Sequence, residues 1–272
     1  MERITSRQNQ IVKEFRAVSD PARIRSQSGD HSRMLLDGEH LLEEALEAGV
    51  PVDMVAVRDE LAEGPLGALA RRAAARGARL FAVPSTVLSA ISPVRQPSGI
   101  VAIARRQTHT LAAALDCAPQ MVLMLSEIQD PGNVGAIVRA ADGCGATGII
   151  TSNGTADPFG WKALRGSMGS AFRIPVASRQ SLEAAAEAAK QRGIRLYAAV
   201  LRDGTPLPRC DLRGASAVLL GGEGAGLAPQ LLSLAETPLT IPMRGSVESL
   251  NVATAAALIV YEAQRQREGA AP

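Results

Sequence analysis

The side chains best suited to chemistry are grouped in three short segments, at residues 126–139, 218–227 and 241–252. Each segment mixes glycine with an amide, an acid or a hydroxyl and has apolar flanks. Such groups can orient a reacting hydroxyl, and an arginine among them can stabilise a developing negative charge. The packing of a hydrophobic core does not require these polar residues, so a site formed by the three segments is worth testing.

The first segment carries Asn133 and Arg139. The run Asp-Pro-Gly-Asn over 130–133 is a strong turn sequence, and Asn133 is predicted to cap the helix that follows. Apolar residues at helical spacing predict that helix over 134–142, with Arg139 off its apolar stripe and free to reach over the loop. A capped helix with a surface arginine explains this segment equally well when it is taken alone.

The second segment places Glu223 among four glycines directly after an apolar strand. Glycines let backbone groups approach a ligand closely. Leu227 stands where a dinucleotide fingerprint needs its third glycine, and no Gly-Lys-Ser/Thr sequence occurs, which excludes a Rossmann loop and a P-loop. Nothing structural requires a carboxylate at position 223.

The third segment joins a polar cluster directly to a helix that must be buried. Pro242 ends a predicted strand, Gly245 permits a turn, and Ser249 or Asn251 is predicted to cap the last helix. The polar cluster consists of Glu248, Ser249 and Asn251. By itself this is also the pattern of a C-terminal helix that closes a core.

In this order and spacing, the three segments resemble the three motifs of the SpoU/TrmH family, the S-adenosylmethionine-dependent RNA ribose 2′-O-methyltransferases of the SPOUT superfamily. The matching residues are Asp130-Pro131-Gly132-Asn133-Val134-Gly135 with Arg139, Gly221-Gly222-Glu223-Gly224 with Gly226-Leu227, and Ile241-Pro242-Met243 with Ser249-Leu250-Asn251-Val252. Residues 165–172 look like a further family element. One departure is Gly222, where family members often have Asn or Ala.

The resemblance implies an α/β protein with two domains. Residues 119–268 would form a SPOUT-type catalytic domain, a parallel sheet with a trefoil knot, whose active site lies at a homodimer interface. Residues 1–105 look like an L30e-like α/β substrate-binding domain, joined by a linker at 106–118. The alternation of apolar strands and amphipathic helices independently predicts α/β layers in both halves, with a helix over 61–76 and a loop around Trp161.

The resemblance also assigns roles to individual residues. The catalytic group would be Arg139, Asn133, Glu223, Ser249 and Asn251. Backbone groups of Gly221, Ile241 and Leu250 would bind S-adenosylmethionine. Arg139 is central in the family and is sometimes considered a base. Because arginine normally stays protonated in proteins, we expect it to clamp a phosphate and stabilise the forming alkoxide.

Composition narrows the remaining possibilities. The chain is 46% apolar and 21% charged, as in soluble globular proteins, and has neither a membrane-length apolar run nor a secretory signal, which predicts a cytoplasmic protein. Three dispersed cysteines and three dispersed histidines predict no metal site. Only 3% of residues are aromatic, which disfavours an aromatic platform for RNA bases.

The sequence therefore predicts a ribose methyltransferase of structured RNA. Basic residues among the first 33, such as Arg7, Arg23 and Arg25, favour a large structured RNA as the partner. The resemblance implies 23S ribosomal RNA, because family members with such a front domain mostly modify ribosomal RNA. Two alternatives stay open: a transfer RNA methyltransferase and a non-catalytic RNA-binding relative with the same fold. A nucleotide-dependent oxidoreductase is excluded by the missing fingerprint.

Overall fold

A computed structural model describes residues 1–20, 32–224, 226–244 and 248–269. The chain divides into two compact units. The first unit contains residues 1–107 and 159–172, and the second contains 108–158 and 173–272. Arg23, Arg25 and the predicted turn residue Gly245 lie outside the described residues.

The strands and helices of the described ranges are numbered along the chain. The strands are β1 Glu2–Arg3, β2 Arg33–Asp37, β3 Val52–Arg58, β4 Arg79–Val83, β5 Ile100–Arg105, β6 Met121–Ser126, β7 Gly148–Thr151, β8 Val176–Ala177, β9 Arg195–Ala199, β10 Thr205–Pro206, β11 Ser216–Gly221 and β12 Thr237–Thr240. The helices are α1 Gln10–Ser19, α2 Glu39–Glu47, α3 Pro65–Ala74, α4 Ser85–Ile91, α5 Leu111–Leu115, α6 Pro131–Gly143, α7 Trp161–Ser167, α8 Leu182–Gln191, α9 Pro229–Leu232 and α10 Val252–Glu268. Short 3-10 turns cover Asp59–Leu61, Ser170–Phe172 and Leu207–Arg209.

The first unit is built on a five-stranded mixed sheet with the order β1-β4-β3-β5-β2. Strand β5 pairs antiparallel with both of its neighbours, and the other pairs are parallel. Helix α1 begins at the cap Asn9, whose side chain accepts a hydrogen bond from the amide of Ile11. Its apolar face buries Val12 and Phe15 in the same core as residues of β3 and β4. The unit thus has its own hydrophobic core.

The second unit is built on a seven-stranded sheet with the order β10-β12-β9-β11-β6-β7-β8. Every pairing in it is parallel. All residues of β6, an inner strand of the sheet, are buried, which explains the unbroken apolar run over 121–125. Helix α8 packs Ala185 and Ala189 against this sheet, and helices α6 and α10 pack against each other. The second unit therefore has the parallel α/β architecture that the sequence predicts.

The structure corrects three local predictions. The predicted loop around Trp161 is the helix α7, which packs on β2 and groups with the first unit. Only seven residues long, it is too short to show a helical apolar stripe. The helix predicted over 61–76 begins at Pro65, because a 3-10 turn precedes it. The predicted linker 106–118 contains α5, whose Ala114 and Leu115 are fully buried in the second unit.

In the described part of the chain, no helix is both long and apolar enough to cross a membrane. Within the same ranges, no three His, Cys, Asp or Glu side chains are arranged to hold a metal ion.

Candidate active site

The predicted site residues follow strands that end at one edge of the parallel sheet. Strands β6 and β11 are neighbours, and their last residues, Ser126 and Gly221, are register partners. Strand β12 ends at Thr240 and runs parallel to β9, the other neighbour of β11. Because the carboxyl ends of parallel strands meet at the same edge, loops that are distant in sequence converge there, as in other α/β proteins.

Asn133, Glu223 and Asn251 form one hydrogen-bonded group, the amide–carboxylate cluster. The side-chain amide of Asn133 donates to Oε1 of Glu223 at 2.6 Å. The amide of Asn251 donates to Oδ1 of Asn133 at 3.0 Å and to the same Glu223 oxygen at 3.3 Å. Each of the three polar segments thus contributes one side chain, and the two amides fix the orientation of the carboxylate.

Helix starts hold both asparagines in place. Asp130 is the cap of α6, and its carboxylate accepts the amide hydrogen of Gly132 at 2.8 Å. The prediction that Asn133 caps this helix is therefore wrong: Asn133 lies inside the first turn. Its side chain is free for the cluster because Asp130 already satisfies the helix terminus.

Asn251 caps α10. It is one of the two candidates that the sequence predicts, and the other is Ser249. Its Oδ1 accepts from the amides of Ala253 at 2.9 Å and Thr254 at 3.4 Å. Capping uses only the oxygen of the side chain, so the NH₂ group remains available to donate to Asn133 and Glu223. One residue thus links the stability of the last helix to the geometry of the cluster.

A cleft of about 430 Å³ opens beside the cluster. Gly221, Ile241 and Leu250, the three predicted cofactor contacts, all line it. Glu223 and Ser249 line it as well, so the cluster and the cleft share one wall. Leu239, Val252 and Leu227 are among the apolar residues around it. A volume of this size suits a small organic ligand.

The glycine loop after β11 turns back sharply on itself. Gly222 and Gly226 form an antiparallel bridge, and Gly224 and Gly226 have φ values of +98° and +67°. A Cβ atom on Gly221 would lie 2.3 Å from the carbonyl carbon of Gly226. Glycines are therefore required where the loop folds back against its own strand, which explains their number in the sequence.

Arg139 and Ser249 stand apart from the amide–carboxylate cluster. Arg139 is exposed on α6 and makes no hydrogen bond or ion pair with any residue that the structure describes. Ser249 is exposed in the wall of the cleft, without a hydrogen bond to a described residue. The structure thus joins Asn133, Glu223 and Asn251 and places Ser249 in the wall of the adjoining cleft. Arg139 has no partner among the described residues.

Sequence reasoning missed the residues that support the cluster. Asp130 replaces Asn133 as the helix cap, and the Asp-Pro sequence was the signal, because Asp is a good cap and Pro favours the first helical position. Glu127, whose backbone is left-handed with φ +56°, was not singled out. No sequence signal marks it, because left-handed non-glycine residues follow from tertiary contacts.

Two family models match the chain. Residues 120–261 match the SpoU rRNA Methylase family, and residues 9–102 match the MRM3-like substrate binding domain. The first match covers all the residues of the cluster and the cleft. The second falls within the first unit.

Known proteins resemble the chain over almost its full length. The 23S rRNA (guanosine(2553)-2′-O)-methyltransferase RlmP of Bacillus subtilis is 33% identical over 96% of this chain and 98% of its own. The AdoMet-bound rRNA methyltransferase of Sinorhizobium meliloti has a TM-score of 0.83 and 28% identity, with 97% of each chain covered. The SpoU methyltransferase AviRb of Streptomyces viridochromogenes, in complex with AdoMet, has a TM-score of 0.82 and 27% identity over 96% of this chain and 99% of its own. With its motifs on one cleft and these relatives, the chain belongs to the SpoU rRNA methylase family.

Proposed function

We propose that this protein transfers a methyl group from S-adenosylmethionine to a ribose 2′-OH in 23S ribosomal RNA. The observation that carries the proposal is the convergence of three distant segments on one cleft, where Glu223 is held by Asn133 and Asn251. Family membership supports the reaction, and the RlmP relative supports the ribosomal substrate. The match of residues 9–102 to a substrate-binding domain supports an RNA-binding role for the first unit.

The cleft fits S-adenosylmethionine in its size and in the chemistry of its walls. Gly221 has no side chain, so its backbone can lie against a ligand, and Ile241 and Leu250 face it from the third segment. Leu239 and Val252 offer apolar surface for a flat heterocycle. When bound, S-adenosylmethionine supplies an electrophilic sulfonium methyl group, so the task left to the protein is the placement of the ribose oxygen.

Glu223 is the group best placed to orient the ribose hydroxyl. Two of the three amide hydrogen bonds of the cluster end on its Oε1. Oε2 has no hydrogen-bond partner within the described ranges, so it can accept a hydrogen bond from a 2′-OH. The two amides keep the carboxylate plane fixed while this happens, which favours an in-line approach of the oxygen.

Arg139 acts on charge rather than as a base. An arginine stays protonated, and its planar fork can hold two oxygens of an RNA phosphate at once. In this role it holds the nucleotide and stabilises the negative charge that develops on the ribose oxygen. Its exposure, without a described partner, supports a role toward a ligand.

A second copy of the chain would complete the site. Helix α10 packs on α6, which carries Arg139, and leaves Leu258 and Tyr261 exposed at 41% and 58%. An apolar stripe of this kind is suited to a homodimer interface, which the family resemblance also implies. The trefoil knot after β12, the L30e-like character of the first unit and a cytoplasmic location belong to the same proposal and rest on the resemblance.

The test is methyl transfer from labelled S-adenosylmethionine to separated pools of ribosomal and transfer RNA. We expect label in the 23S fraction. The phosphodiester next to the labelled nucleotide should resist alkaline hydrolysis, because a 2′-O-methyl group blocks the hydroxyl that cleaves it. Mapping of the labelled ribose would identify the nucleotide. Label in transfer RNA alone would overturn the ribosomal substrate. Absence of transfer, with calorimetry showing no binding of S-adenosylmethionine, would favour a non-catalytic relative.

A further inference from the structure

Glu127 and Gly222 meet where the first two polar segments leave the sheet. They directly follow Ser126 and Gly221, which are register partners of β6 and β11. A Cβ atom on Gly222 would lie 2.2 Å from the carbonyl oxygen of Glu127 and 2.9 Å from its carbonyl carbon. Both are backbone atoms, so no side-chain rotation could relieve the clash. The two loops can approach this closely only because Gly222 has no side chain.

The carbonyl of Glu127 takes this direction because its backbone is left-handed, with φ +56°. Such a conformation is rare for a residue with a Cβ and persists only where neighbours enforce it. The amide of Glu127 donates to Oγ of Ser152 at 3.1 Å. Ser152 contacts the hydroxyl of Thr155 at 3.0 Å, and Thr155 donates to the carbonyl of Leu125 at 2.9 Å. A chain of hydroxyls therefore holds Glu127 against the end of β6.

The spacing of the two loops determines whether the cluster can form. Glu223 directly follows Gly222, and Asn133 lies in the first turn of the helix that the Glu127 loop enters. The hydrogen bond between Asn133 and Glu223 is only 2.6 Å long and spans the two loops. A shift of one loop by a few tenths of an ångström would lengthen or break it, because hydrogen bonds weaken steeply with distance and angle.

We propose that Glu127 and Gly222 are positioning residues for methyl transfer. The left-handed Glu127 presents its carbonyl to the space that Gly222 leaves open, and this contact sets the distance from Asn133 to Glu223. Neither residue needs to touch the reacting atoms. The family resemblance allows Asn or Ala at position 222, whereas the close approach of Glu127 makes glycine a requirement in this chain. The inference rests on the proposed function only in the tests that measure methyl transfer.

The first test is Gly222→Ala, with Gly214→Ala as a matched control. A Cβ on Gly214 would meet no atom within 4 Å, so the control adds the same methyl group in open space. We expect Gly222→Ala to lower kcat for methyl transfer at least tenfold, and Gly214→Ala to leave it within twofold. A Gly222→Ala enzyme as active as the control would overturn the proposal.

The second test asks whether the effect passes through Glu127. A glycine at position 127 has no Cβ to restrict its backbone, so the carbonyl can turn away from a new methyl group. In the Glu127→Gly background we expect Gly222→Ala to cost less than threefold in kcat, which is a measure of coupling between the two sites. An equal loss in both backgrounds would mean that the methyl group disturbs the cleft directly, and the proposal would fail.

The third test does not depend on activity. The side-chain amide signal of Asn133 in ¹⁵N NMR spectra, assigned by its loss in Asn133→Asp, reports the hydrogen bond to Glu223. We expect Gly222→Ala to shift this signal and Gly214→Ala to leave it in place. In the double variant Glu127→Gly/Gly222→Ala, most of the shift should be reversed. Ser152→Ala, which removes the hydroxyl that holds Glu127, should move it in the same direction by a smaller amount.

These readouts separate the two ideas. If the wild-type chain transfers no methyl group but the amide signal responds as expected, the proposed function fails while the positioning contact stands. If methyl transfer occurs and the amide signal is unchanged in Gly222→Ala and Ser152→Ala, the positioning contact is refuted.

Discussion

In the second unit all seven strands run parallel, whereas in the first unit β5 runs against the strands beside it. The parallel sheet brings every strand end, and therefore every following loop, to one edge. Asn133 and Asn251 are separated by more than a hundred residues and still share a hydrogen bond. In the mixed sheet, the loops that follow β5 and its neighbours leave from opposite edges. Strand direction thus concentrates polar chemistry in one unit.

Arg139 differs from the surface arginines that pair with acids in both units. In the first unit, surface arginines pair with nearby acids, such as Arg3 with Asp59 at 2.8 Å and Arg105 with Asp53 at 2.9 Å. Exposed pairs of this kind add at most about 1 kcal/mol of stability. In the second unit, Arg192 pairs with Asp116 at 2.7 Å in the same way. Arg139, in contrast, forms no ion pair with a described residue. The paired arginines are suited to a surface, and the unpaired one is suited to a ligand.

The largest effect should come from Arg139→Lys. Lysine keeps the positive charge but loses the planar fork that can hold two oxygens, so we expect kcat for methyl transfer to fall about 100-fold, as for the loss of one charge-stabilising donor. The matched control is Arg72→Lys in the first unit, which keeps the charge opposite Glu43 and should change activity by less than twofold. Single-turnover transfer at saturating cofactor measures both. Near-normal transfer by Arg139→Lys would refute the clamp.

The next effect compares two asparagine caps, Asn251 on α10 and Asn9 on α1. Each accepts backbone amide hydrogens at its helix start, so replacement by alanine should cost about 1 kcal/mol of unfolding free energy in both cases. Only Asn251→Ala also removes the donor to Glu223, and we expect at least a tenfold loss of transfer, or about 1.4 kcal/mol in the barrier. Urea unfolding and initial rates separate the two losses.

Asn251→Ser sharpens this comparison because serine can cap α10 but cannot donate to Asn133 and Glu223 with an amide. Stability should recover while transfer stays low. If serine restored both, the cap alone would be the function of Asn251, and the amide–carboxylate cluster would lose its role in catalysis.

Much of the fold followed from sequence because its signals are local. The buried strand β6 is an unbroken apolar run, and α8 has an apolar stripe between Leu182 and Gln191. Helix α7 was missed because only two of its three buried residues, Ala163 and Leu164, are apolar, and two adjacent apolar residues do not make a helical period. Its grouping with the first unit rests on contacts with β2, a strand more than a hundred residues earlier, which no local pattern records.

The sequence singled out candidate members of the site but could not predict their geometry. Motif order singled out Asn133, Glu223 and Asn251, and the structure joins them. The Asp-Pro sequence signals Asp130 as the cap, but it could not show that Asn133, which does not cap the helix, reaches Glu223 from 90 residues away. Nor could it show the contact of Glu127 with Gly222, since a backbone conformation set by distant hydroxyls has no signature in the residues themselves.

One ionisable group in each unit should make the stability of the protein depend on pH, and the two dependences have opposite signs. The first group is Asp37. Burial raises the pKa of Asp37 above its usual value of 3.8, against the lowering effects of the hydrogen bond from Ser92 and the charge of Arg165. The folded state therefore binds the proton more tightly than the unfolded state, and stability is lost as pH rises through the folded pKa. Asp37→Asn should raise the melting temperature at pH 7, with a smaller gain at pH 4. A loss of stability at pH 7 would contradict this.

His109 in the second unit should show the opposite and smallest response. Its Nδ1 accepts a hydrogen bond from the amide of Val176 at 3.3 Å, which requires the neutral ring. Burial lowers its pKa below the usual 6.5, so its contribution to stability is complete above about 6.5 and is lost as pH falls through the folded pKa. His109→Asn keeps an acceptor that cannot be protonated in this range. The melting temperature of the wild type should therefore fall more than that of the variant between pH 7.5 and pH 5. If the two melting temperatures fell in parallel, protonation of His109 would not contribute to the pH dependence of stability. The predicted contrast between His109 and Asp37 would then be wrong.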